Sequence, residues 1–137
     1  MNCIYCGGDT KVVNSRVQKR SNQVWRRRQC ITCGAIFTTE ETVHYETTWL
    51  IRGKSGEYTP FLPHKLVISL HRSLQHRPTS LSDAASLSQT TIKKLHGRFS
   101  NGSIDSAVIA QVAQVALNRF DVAASVHYQA HHQQRTG

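Results

Sequence analysis

Beyond Gly34 the chain contains no cysteine, and its four cysteines are confined to Cys3, Cys6, Cys30 and Cys33. This excludes a disulfide framework spread along the fold. Long apolar runs are also missing: none approaches the eighteen or so residues that a membrane-crossing helix requires. The opening Met-Asn-Cys-Ile-Tyr-Cys lacks a basic start followed by an apolar stretch, so no secretory signal is expected and the cytoplasm is the expected location. Acids are scarce, 8 against 17 Lys and Arg, giving a formal net charge of +9. The five acids after Thr42 are scattered, no Ser or Cys stands in a nucleophile sequence, and no phosphate-cradling Walker sequence is present, so no enzyme is expected.

What remains of the cysteine pattern is informative. Cys3-x-x-Cys6 and Cys30-x-x-Cys33 are two knuckles that can bring four thiolates to one tetrahedral zinc. A four-cysteine site leaves no open position for catalysis, so such an ion holds a fold together. Two disulfides are the competing arrangement, and they suit the expected reducing compartment poorly. The 23 residues between Cys6 and Cys30 are absorbed if the chain forms a hairpin between its ligands, as in a zinc ribbon. Gly7 and Gly34 follow the second cysteine of each knuckle, where a residue free to take positive φ lets N–H groups turn toward sulfur.

The charge excess calls for a polyanionic partner, and nucleic acid is the obvious class. Residues 1–45 hold seven Lys or Arg and three acids. Lys11–Arg16 reads as a strand, Gln18–Asn22 as a polar turn, and Val24–Gln29 as the returning strand. Alternation then puts Arg26 and Arg28 on one face with Val24, and Arg27 on the other with Trp25. Guanidinium forks suit phosphates and guanine edges, whereas the competing use of such a strand is a solvated edge that resists aggregation.

Ala35–Thr39 is strand-like, and Glu40-Glu41 closes the ribbon. Thr42–Thr59 reads as further strands with a hairpin turn at Gly53–Gly56. From Pro63 a helix carries Leu66, Val67, Leu70 and Leu74 on one face and ends at Arg77-Pro78. Ser80–Asp83 resembles a capping box and starts a second helix through Ala84, Leu87 or Ser88, Ile92 and Leu95. Gly97–Gly102 breaks it. Ser103 is expected to cap a third helix striped by Val108, Ile109, Val112, Val115 and Ala116, and residues from Asp121 to about Gln129 form a fourth. His131–Gly137 reads as a disordered tail. The class is α+β, a small strand layer followed by four helices.

These residues resemble a known family. The two knuckles, Asn14-Ser-Arg16, Arg26-Arg-Arg28 before the third cysteine, and Phe37-Thr-Thr-Glu40 are similar to the N-terminal half of the bacterial repressors of ribonucleotide reductase genes, NrdR. Family members follow the ribbon with an ATP-cone opening on Lys-Arg-Asp-Gly, then Phe, then Lys four residues on. Here the stretch is Gly53-Lys-Ser-Gly56, Phe61 and Lys65, so Lys54 and Gly56 keep the pattern, with Arg52 next door. Ile104, Val108, Val112 and Leu117, then Phe120–Val126, look like the last two cone helices.

The resemblance implies a ribbon over residues 1–45 that binds double-stranded DNA through Arg16, Arg26, Arg27 and Arg28. It also implies a cone over 46–130, a small sheet capping a four-helix bundle, in which ATP or dATP sets the oligomeric state and the grip on paired operators. In that cone Arg52, Lys54 and Lys65 would meet phosphates and Phe61 would lie beside the base. Read without the resemblance, Phe61 is core and the lysines are solvated.

Overall fold

The computed structural model describes residues 1–134, and the chain divides into two compact units, the first Met1–Val43 and the second beginning at His44. In the first unit, β1 (Thr10–Gln18), β2 (Gln23–Cys30) and β3 (Ile36–Glu41) form an antiparallel sheet in the order β1-β2-β3. All three strands run somewhat longer than alternation alone suggests, because the polar ends of β1 and β2 continue to pair up to a turn in which Asn22 adopts φ 52. The unit's only buried residues among those described are Cys3 and Cys30. A sheet with no buried aliphatic side chain cannot offset the chain entropy of ordering, so its stability must come from what its cysteines hold.

The second unit has a conventional core. Tyr45–Thr48 forms a short helix, α1, where the sequence suggested only strand. Its purpose is visible in the aromatic contacts: Tyr45 and Trp49 lie 4.4 Å apart, Trp49 packs edge-on against Phe61 at 5.3 Å, and its ring lies tilted by 30° against Phe99 at 4.2 Å. β4 (Leu50–Arg52) pairs antiparallel with β5 (Tyr58–Pro60) and parallel with β6 (Ser103–Asp105), giving the order β5-β4-β6. The hairpin turn falls at residues 53–56 as expected, with Gly56 at φ 84.

Four helices follow: α2 (Pro63–Ser73), α3 (Ser80–Leu95), α4 (Ser106–Phe120) and α5 (Val122–Gln134). α2 packs on α3, α3 on α4, α4 on α5 and α5 back on α2, closing a bundle around Leu66, Leu70, Leu74, Leu95, Ala113 and Leu117. Several boundaries differ from the sequence reading. α2 stops at Ser73, short of Pro78, and Ser103 lies in β6, so that Asp105 precedes α4. Val115, expected on the buried stripe, is exposed, and Ala113 and Leu117 take the core positions. α5 continues to Gln134, so residues 131–134 are helical rather than part of a disordered tail, and the tail's remaining residues 135–137 lie outside the described ones. No helix among the described residues is long and apolar enough to cross a membrane.

A charged clamp joins the helix ends. Arg77 donates from Nε to Asp83 (3.0 Å) and from Nη1 to Asp121 (3.2 Å) while its guanidinium sits 4.6 Å over the Phe120 ring. Asp121 also accepts from the Ala124 N–H at 3.0 Å and faces His76 Nε2 at 2.8 Å. The Ala124 N–H, His76 and Arg77 hold the Asp121 carboxyl down at about 2, against an ordinary 3.8. A carboxyl depressed on folding stabilises fully above its unfolded value, and that stabilisation is lost as pH falls through its folded value. The melting temperature of the helical unit should therefore drop between pH 3.8 and about 2. Asp121→Asn should lower it at neutral pH and flatten that acid limb, measured by circular dichroism across the pH range.

Candidate metal centre and nucleic-acid face

The two knuckles are built alike. The Gly7 N–H donates to the Cys3 carbonyl (3.0 Å) and the Gly34 N–H to the Cys30 carbonyl (3.2 Å), with the glycines at φ 77 and 74. Cys3 N–H closes the first turn onto Gly8 O at 2.7 Å, and Cys30 N–H closes the second onto Ala35 O at 2.9 Å. The tight turns aim backbone donors at sulfur: Tyr5 N–H at Cys3, Gly8 N–H at Cys6 and Cys33 N–H at Cys30, each 3.4 Å from Sγ. A non-glycine residue at Gly7 or Gly34 would be strained by the left-handed backbone although there is room for its Cβ.

The four sulfurs converge. Cys3 and Cys33 Sγ are 3.7 Å apart, Cys6 and Cys30 Sγ 3.5 Å, and all four lie within 4.8 Å of one another. Four sulfurs around zinc at Zn–S distances near 2.3 Å would stand about 3.8 Å apart, so the set fits that ion. Electrostatics agrees. The Cys33 N–H pulls Cys30 down to about 6, and backbone donors, that of Cys6 first, lower Cys3. Cys33 is pushed up to about 12, because the pull of the Ala35 N–H is outweighed by burial and by the three other sulfurs. Four sulfurs this close cannot all ionise unless a cation compensates them. The cysteines are thus positioned to bind a zinc ion, as expected for Cys3, Cys6, Cys30 and Cys33.

The arginines divide between the two faces of the sheet in a way the sequence did not disclose. Val12 pairs with Arg28, but Asn14 pairs with Arg27, so a bulge inserts Val13 into β1. A bulge of one residue transfers every later side chain of its strand to the opposite face relative to the partner. Unbulged, Arg16 would oppose Val24 on the face of Arg26 and Arg28. Bulged, it opposes Trp25 and joins Arg27.

The result is a shallow concavity of about 250 Å³ lined by Asn14, Ser15, Arg16, Trp25, Arg27 and Thr38. Arg16 and Arg27 are exposed, and Trp25 is 42% exposed between them. On the other face the cations are engaged. Arg26 donates to Ser15 Oγ at 2.9 Å and to Glu41 at 2.8 Å, and half-buried Arg28 reaches Thr10 Oγ1 at 3.3 Å. Of the four arginines anticipated from sequence, two present free forks beside an aromatic ring, and two hold the ribbon's strands together.

In the second unit a cavity of about 530 Å³ lies over β4, β5 and β6, where Arg52, Tyr58, Arg98, Ser100, Asn101 and Asp105 share the lining with the apolar Leu50, Ile104 and Val108. Of the residues expected around a nucleotide, only Arg52 lines it. Phe61 is 2% exposed and packed against Trp49, so it presents no face to a ligand. The reason is its place just before α2, where the aromatic cluster needs a ring to seal the bundle's end. Exposed Lys54 stands in the hairpin turn and exposed Lys65 on α2, and neither borders the cavity. At Gly53 the Glu57 carboxylate, which accepts from Ser55 Oγ, fills the space that a Cβ would take. A basic residue there would have to displace it. Tyr58, 57% exposed, and Arg98 are cavity residues that the sequence reading missed.

Residues 1–41 match the family model described as the N-terminal domain of NrdR-like transcriptional repressors. That span takes in both knuckles, the bulged hairpin and all four arginines, and it is an NrdR-like N-terminal zinc-ribbon domain.

Proposed function

We propose that the protein is a zinc-dependent, DNA-binding transcriptional repressor of ribonucleotide reductase genes, whose second unit senses ATP or dATP and sets the state of a homo-oligomer. The observation that carries the reading is the Arg16–Trp25–Arg27 face on a ribbon anchored by four converging cysteines. Two free guanidinium forks flanking an indole suit the phosphates and base edges of duplex DNA. The NrdR-like match of residues 1–41 supports a regulatory role rather than a catalytic one. For the nucleotide, the support is a cavity of about 530 Å³ with an unpaired arginine wall, within the size range of small-molecule sites. The resemblance supplies the target genes.

A second reading, in which the helical unit only assembles copies of the chain, is favoured by the burial of Phe61 and the position of Lys54 and Lys65 away from the cavity. A ligand shifts an assembly equilibrium only through unequal affinity for the two states. Native mass spectrometry of the full chain with and without ATP and dATP separates the readings. One zinc per chain, nucleotide adducts and a changed distribution of oligomers are expected. Zinc without adducts or any change in assembly selects the second reading.

A further inference from the structure

We infer that Arg98, acting with Arg52, is the phosphate clamp of the second unit, in place of Lys54 and Lys65. The inference rests on the proposed nucleotide binding and names the residues that would carry it out. Arg98 reaches the cavity from the loop that follows α3, and Arg52 from β4. Neither guanidinium has an ion-pair partner among the described residues, whereas Arg26 and Arg77 both do.

Arg98 is held in place on both sides. Before it, Gly97 takes φ 81 and turns the chain out of α3, and the Arg98 N–H donates to Leu95 O at 3.0 Å. After it, the Phe99 ring lies 4.2 Å from Trp49 in the aromatic cluster. Arg52 is fixed likewise by its pairing with Tyr58 on one side and Asp105 on the other, while its neighbour Ile51 packs on the core. Backbones anchored in this way lose little freedom when a ligand arrives, which is what a preorganised anion clamp requires.

The rest of the lining selects the class of anion. Asp105 borders the same cavity, and its carboxylate repels phosphate while accepting from hydroxyl or amino groups. Tyr58 adds an exposed ring on which a planar base can stack. A nucleoside phosphate offers donors, an aromatic face and an anion together, whereas a bare phosphate chain meets the arginines and the hydroxyl and amide donors but leaves the Tyr58 ring without a partner and faces the Asp105 carboxylate with nothing to donate to it. The clamp therefore takes nucleoside phosphates in preference to inorganic tripolyphosphate.

Calorimetry on the zinc-loaded full chain tests this, with ATP, dATP and tripolyphosphate as probes. Arg98→Ala and Arg52→Ala should each weaken nucleotide binding about ten- to hundredfold, the loss of a charge-assisted contact. Arg98→Lys should fall between the alanine variant and the parent, with an unchanged melting transition as the check on folding. Lys54→Ala and Lys65→Ala should stay within about twofold, as surface substitutions do. If the parent binds ATP or dATP but Arg98→Ala binds as well, or the lysine variants lose as much, the clamp is wrong and nucleotide binding stands. A parent that binds neither nucleotide overturns both.

Discussion

Replacing Cys30 by serine is expected to unfold residues 1–43 while the helical unit keeps its melting transition. Cys30 contributes a thiolate, closes its knuckle through Ala35 O at 2.9 Å, and is one of the two buried residues in its unit. Structural zinc in small modules supplies on the order of 10–16 kcal/mol of folding free energy, more than a sheet without an aliphatic core can replace. The far-ultraviolet spectrum should lose its strand component, zinc content should fall to near zero, and the parent treated with a strong chelator should look the same. The helical unit buries a continuous core from Phe61 to Tyr128 and draws on none of the four cysteines, so its transition should be retained. A variant that retains zinc and a folded ribbon would contradict the account of the centre.

The second large effect lies on the Trp25 face. Arg16→Ala with Arg27→Ala should reduce affinity for duplex DNA by about a hundredfold or more at low salt, the loss of two charge-assisted contacts. If both meet phosphates, the slope of log affinity against log salt should become shallower by about 1.8, from about 0.9 per contact. Arg26→Ala should do much less to the slope, because that fork is engaged by Ser15 and Glu41; its cost should appear in the ribbon's stability instead. Fluorescence anisotropy on labelled duplex across a salt series reads both effects. Equal losses from Arg26→Ala and from the double variant would mean that the opposite face does the binding.

Much of this architecture is legible in the residues. Cysteine spacing discloses the metal centre because four thiolates at two knuckles have few other uses, and the apolar spacing of Leu66, Leu70 and Leu74 discloses a bundle helix. Other features are hidden for identifiable reasons. The bulge at Val13 has no signal, since Val12-Val13 suits an unbroken strand as well as a bulged one, yet it decides which face Arg16 joins. α1 is one turn long and depends on Tyr45 and Trp49 finding Phe61, a tertiary contact that local propensity does not encode. Phe61 illustrates the ambiguity of a single aromatic: the family pattern places it near a ligand, and the packing of this chain places it in the core. Arg98 lies in a glycine-flanked loop, where sequence shows a break between helices and only the folded chain shows the cavity it lines.

The most direct test of zinc-dependent DNA binding compares the zinc-loaded chain with chelator-stripped chain on one duplex carrying paired sites from upstream of a ribonucleotide reductase gene. Anisotropy across a salt series should give tight, steeply salt-dependent binding for the loaded chain, with scrambled duplex bound more weakly. The stripped chain, whose Arg16, Trp25 and Arg27 no longer share a sheet, should retain only weak binding that does not distinguish the two duplexes. Equal affinity and equal discrimination with and without zinc would contradict the account.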